Sequence, residues 1–444
     1  MPRFKARYYR SLFATAMIAA GISYAPLAVQ ADFIGHGGMI RSIDVSPDTG
    51  NVLTASFDFS AKLWQFDEQR EIISLDYHDG PVNAVRFLPG GERAVSVGAD
   101  GQTIIWSLEN GSVITALNDH QGRVMALTVA PDGQHIMTGG WDGRLSIRRA
   151  DGSGEAIYID TGVPLVAAAF SDNGETAIGG GRDGRLVVHR ISDGIKTREI
   201  PAHNLGLTAI ATTPSADRIL SIGLDNYTRI WQTRDLRMLA EFKADPDVKP
   251  IALSVDGTGE TAAITYIDGL LVHINARTAD VLTGFKVDER PVFAVELSGD
   301  GNFALTAGMD ENAKVWHLAS GDQITIANLD TADIPRPWLE TDDPGAVLYR
   351  KCANCHALTE EERQRAGPHF QGLFGRSAGA VDGYRYSNAL RDTDIVWTPE
   401  TVATLFREGP DIFMPGTKMP VQQVRDEDQL QALIDYMTSI VPAR

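Results

Sequence analysis

Lys351-Cys352-Ala353-Asn354-Cys355-His356 holds both cysteines of the 444-residue chain and sets a histidine directly after the second. C-x-x-C-H is the spacing of covalent c-type haem attachment. Thiols two residues apart can add across the two vinyl groups of one porphyrin, and the adjacent imidazole is then delivered to one face of the iron as an axial ligand. The expected cofactor is one haem c on Cys352, Cys355 and His356. Two other chemistries use such a pair. Zinc would want four ligands in a tetrahedron, and only His369 lies close enough in sequence to help. A dithiol for exchange chemistry belongs beside a βαβ pattern, whereas the flanks here read as helix without strands.

The elements around this motif come from two different sequence textures. Ahead of it an aspartate recurs at Asp58, Asp100, Asp142, Asp183, Asp225, Asp268 and Asp310, in steps of 42, 42, 41, 42, 43 and 42 residues. Seven units at this period predict a closed ring of similar blades. Each aspartate opens a tight turn before an alternating run such as Ala61-Lys62-Leu63-Trp64 or Thr228-Arg229-Ile230-Trp231. With turn clusters such as Pro131-Asp132-Gly133 between runs, the pattern predicts four short antiparallel strands per unit.

These residues resemble the WD-repeat family of seven-bladed propellers over residues 32–329. Gly35-His36 opens the first unit, and His78, His120 and His203 hold the equivalent place later. The family's tryptophan survives as Trp64, Trp106, Trp231 and Trp316, while Arg148, His189 and Ile274 replace it elsewhere. The resemblance implies that the repeat histidines bond across a blade to the turn aspartate. For ring closure two arrangements are open: an N-terminal strand, or Gln323–Leu329 as the outer strand of blade seven. The second is the expectation, because Gln323–Leu329 alternates and, once residues 1–31 are cleaved, little chain from Asp32 onward precedes the first Gly-His.

Residues 1–31 carry Arg3, Lys5, Arg7 and Arg10, then an uncharged stretch, then small residues before Asp32. That is the composition of a secretory signal peptide. A retained membrane anchor is the alternative, since about 18 apolar residues could nearly span a bilayer. Export to a bacterial periplasm is expected, with no further membrane span. Loss of the four basic residues takes the formal charge from −18 to −22. So acidic a chain repels nucleic acid and anionic lipid and favours basic protein surfaces.

Residues 330–341 lose the period and contain Pro335, Arg336, Pro337 and Trp338, which predicts a stiff linker with Trp338 packed at the seam between the two domains. Residues 342–444 resemble the class I cytochromes c, mitochondrial and bacterial small soluble proteins of all-α fold. A helix over Pro344–Lys351 leads into Cys352, Cys355 and His356, and a terminal helix over Asp426–Ile440 carries Leu433 and Tyr436 on the face where the family crosses its first helix. The resemblance implies that the Pro368 carbonyl accepts a hydrogen bond from the His356 imidazole. It implies that Arg376, Tyr386 and Trp397 serve the haem propionates. In the loop Pro415-Gly416-Thr417-Lys418-Met419 it implies that Thr417 lies at the haem and that Met419 is the sixth ligand, with Met414 as competitor. Asp411 and Ile412 stand where the family has a lysine pair, and the segment from Glu340 onward carries 11 basic and 16 acidic residues.

The function this predicts is a periplasmic monohaem electron carrier whose propeller is a protein-docking platform, its redox partners presenting a basic docking surface. One rival is an oxidoreductase with a catalytic site in the propeller feeding electrons to the haem. Another is a sensor in which haem state alters what the propeller binds. Oligomeric state leaves no mark in the sequence.

Overall fold

Alternating strands bounded by tight turns fold into seven four-stranded antiparallel sheets in the computed structural model of the chain. It describes residues 33–46, 49–66, 70–171, 173–245, 247–309, 312–324, 338, 341–353, 356–360, 367–382, 384, 386–391, 393–417, 419 and 422–442. Among these, 28 strands run in chain order from β1 (Phe33–Ile34) to β28 (Asn312–His317). In the first blade β2 (Ile40–Val45), β3 (Val52–Ser56), β4 (Ala61–Gln65) and β5 (Arg70–Leu75) pair in sequence order. β3 is buried at every position, because neighbouring blades cover both of its faces, while β5 at the outer edge is largely half-buried or exposed. Strands covered on both sides lose the polar alternation that half-covered ones keep.

Asp58, Asp100, Asp142 and Asp225 each fasten their blade through a histidine. Asp58 accepts the His36 Nδ1–H at 2.8 Å and the Gly37 N–H at 2.8 Å. His36 Nε2 meets Thr54 Oγ1 at 2.6 Å, and the Trp64 indole N–H donates to the same hydroxyl at 2.7 Å. Burial alone would raise the Asp58 carboxyl, but the His36 imidazole bonded to it holds it well below the usual carboxylate range. The same chain of bonds joins Asp225, His203, Ser221 and Trp231. His78 and His120 also bond their aspartates, so the repeat histidines are structural as expected. Arg148, in a tryptophan position, grips the buried Asp119 through two donors at 2.5 and 2.6 Å. Asp310 lies outside the described residues.

Ring closure departs from the expectation. β1 pairs with β28, Phe33 opposite Ala313 and Ile34 opposite Asn312, beside β27 (Phe303–Ala307) and β26 (Ala294–Leu297). The N-terminal strand therefore completes the seventh blade. Gln323 makes one bridge to Trp316, and the Ile324 N–H donates to the Val315 carbonyl at 2.8 Å, further along the same edge. Residues 325–329 lie outside the described residues. The physical reason is the Phe33 ring, which is 0% exposed and meets Trp64 of the first blade edge-on at 5.9 Å. One buried aromatic thus holds the last blade to the first.

In the C-terminal domain the described residues form α1 (Pro344–Ala353), α2 (Asn388–Arg391), α3 (Pro399–Glu408), α4 (Pro410–Phe413) and α5 (Glu427–Ile440). The Asp426 carboxylate caps α5 by accepting the Gln429 N–H at 2.9 Å, meeting an orphan donor of the first turn. α1 and α5 cross at Gly345, where a Cβ would overlap the Ala432 carbonyl and lie 2.7 Å from Tyr436 Cβ. Tyr349, Cys352, Phe370, Val402, Phe406, Leu433 and Met437 form the core between α1, α3 and α5. Trp338 belongs to that same core instead of a seam between domains. Its ring meets Tyr349 edge-on at 5.3 Å and its carbonyl accepts the Arg350 Nε–H at 2.9 Å. An apolar pocket at the head of α1 outcompetes a polar linker surface for the indole. No helix among the described residues is long and apolar enough to cross a membrane, and residues 1–31 lie outside them.

Candidate functional site

Cys352 sits in the last turn of α1 with its face toward the core, 5% exposed. Burial pushes its thiol up to about 12, against the opposing charge of Lys351. A thiol so placed is a poor nucleophile and metal ligand by itself, but its apolar pocket suits a thioether. Asn354 and Cys355 lie outside the described residues. The backbone turns after the helix, the His356 N–H donating to the Cys352 carbonyl at 2.9 Å.

The imidazole is held from several sides. His356 Nδ1 lies 2.8 Å from the Pro368 carbonyl. A carbonyl can only accept, so Nδ1 carries the proton and Nε2 carries the lone pair an iron would need. Phe370 stacks on the ring at 4.5 Å between centroids and 12° between planes. Gly367 bridges His356 through the backbone, and a Cβ there would lie 2.5 Å from Nδ1 and 2.7 Å from Nε2. Only glycine leaves room for the ring at this position.

Arg376 is buried and donates to the Gln371 and His369 carbonyls at 2.8 and 2.7 Å. It therefore braces the loop that carries Pro368. The Trp397 N–H donates to the Arg376 carbonyl at 2.9 Å, and the Trp397 carbonyl accepts the Gly375 N–H at 2.7 Å. This short ladder brings two of the sequence-predicted residues side by side. Tyr386 is buried near them. Burial pushes its phenol up, while the Val381 N–H bond and the Arg376 charge pull the other way. Among the described residues Ser387 Oγ and His369 Nδ1 are buried without a partner. Such polar atoms, with a buried guanidinium and a phenol, suit an anionic, partly polar group.

In the loop that carries Met419 the Thr417 N–H donates to the Met414 carbonyl at 3.0 Å and the Thr417 hydroxyl accepts the Met419 N–H at 3.2 Å. Met419 packs against the core that contains Cys352. Met414 is buried outside that cluster, and its N–H closes α4 on the Pro410 carbonyl at 2.9 Å. The donor set, one neutral imidazole, one thioether and an apolar core carrying the thiol, fits a c-type haem. Sequence reading missed Phe370. Its signal was an aromatic two residues after the proline that fixes the histidine.

Comparison with known proteins agrees with this geometry. The family model "WD domain, G-beta repeat" matches residues 28–65, 69–107, 111–148 and 280–317, and "Cytochrome c" matches 343–440. Cytochrome c2 of Blastochloris viridis is 36% identical over 93 residues, covering 21% of this chain and 72% of that protein. Cytochrome c2 of Rhodoplanes tepidamans is 35% identical over 100 residues, 22% of this chain and 92% of the relative. Cytochrome c of Arabidopsis thaliana is 36% identical over 94 residues, 21% of this chain and 83% of the relative. The repeats between 149 and 279 fall outside the family matches, yet they fold as blades like the others. A single C-terminal domain of this kind implies one covalently bound haem c. The chain belongs to the cytochrome c family, its haem domain following WD repeats that form a seven-bladed propeller.

Proposed function

We propose that this is an exported, periplasmic monohaem cytochrome of class I fold that passes single electrons between proteins, with the propeller as docking platform. The observation that carries it is the 2.8 Å bond from His356 Nδ1 to the Pro368 carbonyl, which commits the ring's lone pair to Nε2. Cys352 and Cys355 would hold the haem as thioethers, and His356 and Met419 would be the ligands to its iron. Bound there, the haem supplies a one-electron couple, and a thioether ligand favours the reduced form more than a second imidazole would.

The chain's own residues do the rest. Pro368 fixes the tautomer, Phe370 and Gly367 fix the plane of the ring, and Thr417 sets the loop that carries Met419. Arg376, Tyr386 and Trp397 would meet the propionates, and the core around Tyr349, Leu433 and Met437 keeps water out. The surplus of 16 acidic over 11 basic residues in this domain supports a redox partner with a basic docking surface. A propeller suits protein interaction because its repeats present one rigid face built from many loops.

The test uses the purified mature chain. One haem iron per chain and no second metal or organic cofactor are expected. Met419→Ala should abolish the sulfur-to-iron charge-transfer band of the ferric protein, and Met414→Ala should keep it. Persistence of the band in Met419→Ala would reassign the ligand. A stoichiometric second centre would move the function to catalysis in the propeller.

A further inference from the structure

The same backbone bond recurs in all seven blades on one rim of the propeller. The residue just before each turn aspartate donates its N–H to a residue one to three positions before the inner strand, as Phe57 does to Met39 and Trp141 to Arg123, at 2.7–3.2 Å throughout. These seven donors and seven acceptors are therefore equivalent positions around one face. They include no Asp or Glu in a chain whose formal charge is −18, and they include Arg123, Arg182 and Lys249. Large apolar side chains fill much of the remainder: Phe57, Leu224, Ile267 and Met309 are 37%, 42%, 47% and 45% exposed. An arc of exposed apolar side chains over four successive blades marks an interaction surface.

Two of the three basic residues at these positions lie together. Arg182 lies over the Trp141 ring at 4.5 Å and Arg123 over the same ring at 5.0 Å. Both are exposed, and neither side chain has an ion pair or hydrogen bond among the described residues. Lys249 differs, being tied to Asn226 Oδ1 at 2.7 Å and to the Leu224 carbonyl. Two like charges gathered on one indole without an ion-pair partner among the described residues repel each other. Stacked guanidiniums also keep their in-plane N–H groups, which match a carboxylate bidentately. Trp and Arg are the side chains most often dominant in binding energy at interfaces.

We infer that this rim of the propeller binds an acidic, apolar segment of a partner protein, its carboxylates on Arg123 and Arg182 across Trp141 and its apolar side chains on the arc from Leu224 to Phe57. The inference rests on the reading of the propeller as a docking platform and adds the face and the partner's chemistry. It places two partners of opposite charge on one chain: a basic redox protein at the acidic haem domain and an acidic one at the rim.

The experiment uses the mature holoprotein and two fluorescein-labelled dodecapeptides, one alternating Glu and Leu, the other alternating Lys and Leu. By anisotropy the Glu–Leu peptide should bind about tenfold or more tighter, despite the protein's net negative charge. The pair Arg123→Glu and Arg182→Glu should weaken it by about tenfold or more, Trp141→Ala by several-fold, and Arg237→Glu on an outer strand by little. Should the charge reversal unfold the propeller, the Arg123→Gln and Arg182→Gln pair keeps the test, with a smaller loss expected. Equal binding of the two peptides, no effect of the paired substitutions, or an equal loss in Arg237→Glu would each overturn the inference. So would a dimer that the reversal abolishes, since the occupant would then be a second copy. Electron exchange with ferricyanide is independent of the rim, so its loss would count against the carrier reading alone.

Discussion

His356 owes its orientation to neighbours that leave it little choice of position. Substituting Gly367→Ala puts a Cβ where the imidazole lies, 2.5 Å from Nδ1, so the ring must give up its bond to Pro368 or the loop must shift. Overpacking of this kind costs about 1–3 kcal/mol. A lower melting temperature and a perturbed ferric spectrum are expected together; an unchanged spectrum would mean that the loop moves and the ring does not. A second residue-scale effect lies on the inner strands of the propeller. Burial, and then the nearby Asp44 carboxylate, push Glu296 up to about 8, with Arg86 and the Ser254 hydroxyl opposing. A carboxyl raised in the fold is protonated there at a pH where the unfolded chain has lost that proton. Its contribution is fully present below about pH 4 and is lost as pH rises toward 8. Glu296→Gln should therefore raise the melting temperature at about pH 8 and change it little at about pH 4. Equal shifts at both would sink the assignment.

Strands and helices here are held mainly by what covers them. β1 contributes two residues, yet its Phe33 is buried between the first and last blades with Trp64, Ala313 and Val315 in the same core. Phe33→Ala should cost about 3–5 kcal/mol in denaturant unfolding. Ile114→Ala on an exposed outer strand, where the side chain is 47% exposed, should stay within about 0.5 kcal/mol. Comparable losses for the two would mean that the ring does not depend on its clasp. Period and turn chemistry in the sequence anticipated seven four-stranded blades, and the helix starting at Pro344 and the terminal one starting near Asp426 followed from the resemblance to class I cytochromes c. Two residues carry no strand periodicity, so the clasp itself had no sequence signature.

Across the whole molecule the charge is uneven, and the unevenness matters more than the total. The haem domain has an acidic surplus while one propeller rim has no carboxylate at its fourteen equivalent backbone positions. Association of the holoprotein with a basic redox partner should slow by about tenfold or more between about 0.01 and 0.2 M salt, because steering acts over roughly a Debye length. Stopped-flow electron transfer measures this directly, and a flat salt profile would remove long-range attraction from the account.

What the sequence by itself determined is local or periodic. Cys352, Cys355 and His356 fall within five residues, Gly367-Pro368 and Pro415–Met419 are short runs, and the aspartate period repeats along nearly three hundred residues. Each is read without knowing what lies opposite. Tertiary structure decided the rest: Phe33-Ile34 on the edge of β28, Trp338 in the haem-domain core, Phe370 on the imidazole, and Arg123 and Arg182 over one indole. Those outcomes are choices among competing burial sites and edges, and their energies depend on which surfaces the folded chain brings within van der Waals reach.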